Sequence, residues 1–312
     1  IKVIRYGMTR EWVRGLKVVT GVGEVLDLNR GLIKNNTGYD LRHLFVGSEG
    51  TLGIIVEATL GLTTPPEDLG VMVLGVPRFE AILDILPRAR ERLALTAFEF
   101  FSQAGLAKIV QHTDLQAPFD TPAAHYVLIE YEQQQAAELA VQGLFEECAE
   151  AGWVVDGVVA QSGAEARRLW GLREDLSETL SRYQPYKNDI AVGVSQLPAF
   201  LGEAEALVAR HYADFEVIWY GHIGDGNLHL NILRPEAMAA ADFVRHCETV
   251  SAEMAGLLQG FGGSVSAEHG VGLLKRDYLS ATRSPEEIRL MQSMKAVFDP
   301  AGVLNPGKIF LP

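Results

Sequence analysis

Apolar and polar positions alternate along the chain in two periods, and the changes of period mark its elements. Short apolar runs at Val71–Val76, Ala97–Phe101, Tyr126–Tyr131, Val154–Val159 and Ile190–Val194 predict strands. Between them lie stretches with helical character. Phe79–Leu93 places Ile82, Leu83, Ile85 and Leu86 at helical spacing, and Ala104–Gln111, Ala136–Gly152, Gly163–Tyr183 and Pro198–Tyr212 read the same way. A hairpin over 217–233 and a helix over Ala237–Gln259 follow. This rhythm, with an antiparallel hairpin inside it, predicts an α+β sheet with helices on one face. Upstream, Leu16–Thr20 and Glu24–Leu28 flank Gly21 and Gly23 as a hairpin would, Asn35–Leu41 is a turn-rich loop, and a strand from Ile54 ends at Thr63-Thr64-Pro65-Pro66. Downstream, Ser284-Pro285-Glu286-Glu287 opens a helix over 285–298, with Pro in the first turn and acids matching the dipole. The boundaries divide the chain into 1–66, 67–283 and 284–312.

The sharpest local signal is Tyr220-Gly221-His222-Ile223-Gly224-Asp225-Gly226-Asn227-Leu228-His229-Leu230-Asn231. Asp225-Gly226 suits a two-residue type I′ turn, which needs φ > 0 at both central positions. Counting outward, Gly224 would face Asn227, Ile223 would face Leu228, and His222 would face His229. Opposed residues share one face of the sheet, so Tyr220 and Asn231 join the histidines there. Two imidazoles held side by side offer two ligands of a metal site; a histidine pair on a solvated face is the plainer reading. The Gly-rich stretch Gly262–Gly272 carries Glu268 beside His269, and Glu268 would complete a His₂Glu set with open metal positions.

Other polar groups stand out against the pattern. Arg173 and Ser177 are four apart on the expected long helix and would share a face. An arginine fork suits a carboxylate, although a solvated Arg173 paired with Glu174 or Glu178 is the alternative. Lys187 enters a strand at Tyr186-Lys187-Asn188-Asp189, where a surface lysine would be ordinary. Gly47, Gly50 and Gly53 in Phe45–Ile55 allow close backbone approach to a ligand, or simply tight turns.

Composition narrows the classes. The chain has 312 residues, 48% of them hydrophobic, enough for about two domains with a substantial core. Its net charge of −13, from 40 acids and 27 bases, argues against nucleic acid and anionic membrane surfaces as partners. Cys148 and Cys247 form no framework, which points to a reducing compartment and a cytoplasmic location. No apolar run approaches the roughly 18 residues of a membrane span, and no signal peptide opens the chain. Ile1 is not a natural start, so the chain is expected to be the C-terminal part of a longer protein.

The motifs GHxGDGNLHxN, EHGVG and Asn305-Pro306-Gly307-Lys308 resemble the FAD-linked 2-hydroxyacid dehydrogenases of the vanillyl-alcohol-oxidase type. The resemblance runs from the first residues to the last. It implies that 1–66 is the remaining half of the FAD-binding domain, without the Gly-rich segment that grips the pyrophosphate. It implies that 67–283 is a ferredoxin-like substrate and metal-binding cap, and that 284–312 is a short helical tail returning to the flavin. Flavin contacts would be Asn36, Thr37, Gly38, Gly47, Glu49, Gly50, Gly53, Ile54, Ile55 and Asn305, with Lys308 a further candidate. Zn²⁺ or a similar divalent ion would be held by His222, His229 and Glu268. His269 would be the general base and also touch substrate. Arg173 and Lys187 would meet the carboxylate next to the reacting carbon of a small 2-hydroxy acid, while Ser177 and Asn231 would meet the far carboxylate of a five-carbon diacid, D-2-hydroxyglutarate. Ser177 departs mildly from the threonine often found there, keeping the hydroxyl. An electron-transfer flavoprotein would reoxidise the flavin, and a homodimer is a further expectation. D-lactate or glycolate oxidation is the alternative within the family. A zinc hydrolase and a non-catalytic metal-binding module are the alternatives outside it; the hydrolase leaves 1–66, Arg173 and Lys187 without work, and the module predicts no turnover of any hydroxy acid.

Overall fold

The computed structural model describes residues 1–66, 68–134 and 136–310. The boundary expected at 66/67 touches Glu67, and the tail's expected end at 312 lies outside the described residues. The elements run α1 (Val3–Tyr6), α2 (Thr9–Trp12), β1 (Val13–Thr20), β2 (Val25–Leu28), α3 (Arg42–Phe45), β3 (Gly53–Leu60), β4 (Leu69–Val76), α4 (Phe79–Arg92), β5 (Leu95–Ser102), α5 (Gln103–His112) and β6 (His125–Glu132). They continue with α6 (Ala137–Glu150), β7 (Asp156–Val159), α7 (Gly163–Glu174), α8 (Leu176–Ser181), β8 (Tyr186–Ala191), α9 (Leu197–His211), β9 (Val217–Gly221), β10 (Asn227–Ile232), α10 (Ala240–Gly260) and α11 (Pro285–Phe298). A mixed α/β fold is therefore present.

Packing groups these elements into two units, Ile1–Tyr6 with Pro66–Ser264, and Gly7–Pro65 with Val265–Pro312. The division expected from sequence differs in two places. Ile1–Tyr6 packs with the larger unit, and residues 265–283, expected in the cap, pack with the smaller one.

The larger unit is built on an antiparallel sheet of order β7-β4-β6-β5-β9-β10-β8. Nearly every residue of β4, β5 and β6 is buried. Continuous burial along a strand means that both faces are covered, and they are. On one face, Phe79 of α4 meets Phe100 of β5 edge-to-face at 5.2 Å, a contact contributing about 1 kcal/mol beyond its area. On the other, Phe101, Tyr126, Leu128 and Ile218 pack with Leu106 and Ile109 of α5, Leu169 and Leu172 of α7, and Leu176 and Leu180 of α8. The expectation of helices on one face is corrected: α5, α7 and α8 are apolar on the side they turn to the sheet. The long helix expected over 163–183 is two helices, broken at Asp175. Arg173 and Ser177 are thus not one turn apart on a continuous helix. Lys2 and Arg5 tie α1 to the sheet through Glu130 (2.5 Å) and Glu132 (2.8 Å).

The smaller unit has a three-stranded sheet of order β2-β1-β3. Its core is Val13, Leu16, Val18, Phe45 and Leu52, against which Phe298 of α11 packs with its ring 5.0 Å from that of Phe45. Helix α11 starts as expected: Ser284 and Glu287 form a reciprocal capping box. Both cysteines are buried and outside any disulfide. Among the described residues, no helix is long and apolar enough to cross a membrane.

Candidate functional site

The β9–β10 hairpin forms with a different turn from the one expected. Gly226 is left-handed at φ +88°, but Asp225 sits in a short 3₁₀ turn, Ile223–Asp225, so the type I′ requirement of two positive φ values is not met. Asp225 prefers this turn because its carboxylate accepts the backbone N–H of Asn227 at 3.2 Å. Arg90 holds the turn from outside by donating to the Gly224 carbonyl at 2.8 Å. The register moves with the turn. His229 pairs with Tyr220, and Asn231 with Ile218, whereas His222 lies beyond the end of β9. The shift is two residues, which leaves each side chain on its expected face. The imidazoles of His222 and His229 still meet, with centroids 5.2 Å apart and planes at 85°.

A buried carboxylate stands behind each imidazole. Nδ1 of His222 is 2.8 Å from Glu99 of β5. Nδ1 of His229 is 3.6 Å from Asp189, its pairing partner on β8. Asp189 is in turn fixed by Asn227, whose amide donates to it at 2.9 Å. At His222 the carboxylate bonded to Nδ1 orients the ring so that Nε2 is the ligand nitrogen, an arrangement typical of metal-binding histidines. The donor chemistry here fits a divalent metal. Glu99 and Asp189 were not singled out in the sequence. The signal for Glu99 was one acid inside the apolar run Ala97-Phe98-Glu99-Phe100-Phe101.

Arg173 is buried at 5% exposure, so the solvated alternative does not hold. Its Nη2 is 2.8 Å from the Glu99 carboxylate, and its guanidinium lies over the Tyr220 ring at 4.8 Å. Even so, its Nε and Nη2 make no aligned hydrogen bond among the described residues. Asn231 is buried at 1% exposure, and neither atom of its amide has a hydrogen-bond partner among the described residues. Lys187 pairs with Asn231 across β8–β10 and donates to the Ser177 hydroxyl at 3.2 Å. The larger unit thus gathers Arg173, Ser177, Lys187, His222, His229 and Asn231. Buried donors without acceptors are costly, and they are what an anionic, oxygen-rich ligand would satisfy.

The remaining residues belong to the smaller unit. Gly47, Glu49 and Gly50 are all left-handed, at φ 86°, 53° and 70°. This turn aims the Glu49 carboxylate at the loop carrying Glu268 and His269, where it accepts the N–H groups of Val271 and Gly272 at 2.7 Å each. Gly270 is required there: it has φ +75°, and a Cβ would stand 2.6 Å from the Glu49 carboxylate. Asn305 donates to the Glu49 carbonyl at 2.5 Å, and Lys295 bonds the carbonyls of Thr51 and Leu304 at 2.8 Å. Glu49 was expected as a flavin contact; its carboxylate is engaged by this loop, which leaves its backbone for that role. Glu268 and His269 are exposed, as are Asn36, Thr37 and Gly38. Ile54 and Ile55 follow Gly53 on β3 and are 50% and 44% exposed. Exposed apolar side chains beside left-handed backbone fit the ring system of a flavin, which buries apolar surface while backbone N–H groups meet its polar edge.

Similarity to known proteins agrees with this picture. D-2-hydroxyglutarate dehydrogenase of Stutzerimonas stutzeri is 56% identical over 312 residues, an alignment covering 99% of this chain and 67% of that protein. The enzyme of the same name from Xanthomonas citri pv. viticola is 54% identical, with 99% and 66% covered. The chain therefore spans about two thirds of the length of these relatives. In fold it is similar to 4-ethylphenol oxidase from Gulosibacter chungangensis, with a TM-score of 0.68, 14% identity, and 98% of this chain and 67% of that chain covered. Residues 65–309 match the family model of the FAD linked oxidases, C-terminal domain, and the chain belongs to that family.

Proposed function

We propose that this chain is the substrate-handling part of a flavoenzyme that oxidises a D-2-hydroxy acid, D-2-hydroxyglutarate, to the 2-oxo acid. The observation that carries the reading is the buried Asn231 amide and the buried Arg173 Nε, neither with a hydrogen-bond partner among the described residues, in the unit that also presents His222 and His229. Two of the relatives named above act, by their names, on that acid.

His222, His229 and Glu268 would hold a divalent metal such as Zn²⁺, and the stretches 36–38, 47–55 and Asn305 would line FAD. When bound, the metal supplies Lewis-acid polarisation and the flavin supplies the hydride acceptor. The chain's own residues do the rest. Arg173 and Lys187 grip the carboxylate beside the reacting carbon, and the Arg173 fork sets its plane. Ser177 and Asn231 meet the far carboxylate. His269 takes the hydroxyl proton on an imidazole nitrogen. The elements from β4 to α10 act as the cap: within β4-α4-β5-α5-β6-α6-β7 the sheet order is β7-β4-β6-β5, as in ferredoxin-like folds. The tail 284–312 serves the flavin side. A cytoplasmic site, a homodimer and an electron-transfer flavoprotein as acceptor complete the proposal.

The test is a screen of the full-length protein against short 2-hydroxy acids with an artificial dye, alongside its visible absorbance. A flavin spectrum and fastest dye reduction with D-2-hydroxyglutarate are expected. Preference for D-lactate or glycolate would reject the diacid. A colourless protein that turns over no hydroxy acid would reject the dehydrogenase and leave a hydrolase or a binding module.

A further inference from the structure

We infer that Glu99 is a shared positioning residue: one buried carboxylate that fixes the metal-facing orientation of His222 and holds the Arg173 fork open for an anionic substrate. The inference rests on the reading of the site as a metal-assisted 2-hydroxy-acid dehydrogenase. Glu99 lies in the middle of β5 and is 1% exposed. A lone carboxylate at that depth needs partners, and Glu99 has two. Nδ1 of His222 lies 2.8 Å from both carboxylate oxygens, and one of them, Oε2, is also 2.8 Å from Nη2 of Arg173.

The charges define what each contact does. Arginine is always cationic, so Glu99 and Arg173 balance one another. His222 can then stay neutral and donate its Nδ1–H to Glu99, which turns the Nε2 lone pair towards a metal. The geometry at Arg173 is the more telling half. The ions are within pairing distance, yet neither the Glu99 oxygen nor Nε and Nη2 of Arg173 is in an aligned hydrogen bond. Glu99 therefore holds the guanidinium through Nη2 and leaves Nε without a hydrogen-bond partner among the described residues. Nε and Nη2 are adjacent donors of the fork that a carboxylate takes bidentately. Tyr220 limits the remaining freedom by lying under the guanidinium.

The test uses the full-length flavoprotein with Glu99→Gln, which keeps the shape and removes the charge. Zn²⁺ affinity, measured by titration of the metal-depleted protein, should fall about 10–100-fold. At saturating Zn²⁺ the KM for D-2-hydroxyglutarate should remain raised by about tenfold or more, while kcat falls less. Glu99→Asp, which keeps the charge but withdraws it by one methylene, should be intermediate in both and serves if the Gln variant does not fold. FAD content should match the wild type in either variant. A third readout needs neither substrate nor turnover: ¹⁵N NMR of metal-depleted wild type should show His222 as the Nδ1–H tautomer, and Glu99→Leu should lose that preference. Wild-type metal affinity and KM in Glu99→Gln overturn the inference, as does a His222 tautomer indifferent to Glu99. A wild-type protein that oxidises no hydroxy acid but shows the Glu99-dependent tautomer sinks the functional reading instead.

Discussion

Tyr220 stands directly opposite His229 across the β9–β10 pair, their rings 5.0 Å apart. His222, expected in that position, is displaced by two residues into the turn. Displacement by an even number preserves the face, and the two imidazoles meet diagonally instead of squarely.

That diagonal contact leads to a prediction about metal. Full-length variants His222→Ala, His229→Ala and Glu268→Ala should each lose bound Zn²⁺ or a similar ion, and activity with it. Metal analysis of the three proteins is the measurement. Full occupancy in any one of them removes that residue from the ligand set.

A second prediction concerns the length of the acid. Asn231 is buried with its amide unsatisfied among the described residues, and the Ser177 hydroxyl accepts a hydrogen bond from Lys187. Ser177→Ala and Asn231→Ala should each reduce kcat/KM for D-2-hydroxyglutarate by about 1–2 kcal/mol, the worth of a hydrogen bond to a charged group. Turnover of D-lactate should barely change. Arg173→Met should damage both substrates alike. Equal losses on both acids in the Ser177 and Asn231 variants would reject the diacid assignment.

Glu49 separates a structural from a cofactor role. Its carboxylate takes two backbone N–H groups of the 268–272 loop. Glu49→Ala should cost about 2 kcal/mol of stability through those charge-assisted bonds. Limited proteolysis should then cut near residues 268–276 faster, with FAD content unchanged. Loss of FAD without any change in loop protection would make Glu49 a flavin residue instead.

The fourth prediction is a pH dependence of stability. Burial pushes the His125 imidazole below its ordinary pKa of 6.5, and Glu80 opposes the shift only in part. The ring packs edge-on to Phe79 at 5.5 Å, and its Nδ1 has no hydrogen-bond partner among the described residues. The unfolded chain therefore takes up the proton at a higher pH than the folded one. This contribution to stability is complete above about pH 6.5 and is lost as the pH falls from there to the folded pKa, below which it is flat. Urea midpoints of wild type and His125→Phe between pH 8 and pH 5 should show the acid loss in wild type and a shallower one in the variant. Parallel curves would reject the assignment.

Much of the fold was legible because its causes are local. Apolar runs and helical spacings placed β4, β5, β6, α4 and α9 to within a few residues, and Ser284-Pro285-Glu286-Glu287 capped α11 as read. Alternation put His229 and Asn231 on one face, and that survives any even slip of register. The amino-acid order alone therefore determined which side chains share a surface, and it put Glu268 beside His269 in a Gly-rich loop.

What it could not determine are relationships that depend on three-dimensional neighbours. The hairpin register was decided by the Asp225 turn and by Arg90, which arrives from α4. The break at Asp175 and the second layer of helices follow from how α5, α7 and α8 fill the sheet's other face. Glu99 and Arg173 are 74 positions apart in sequence, and no spacing rule joins them. A buried carboxylate must find a cation or a donor wherever the fold supplies one, so only the tertiary structure could say that Glu99 stands between Arg173 and His222.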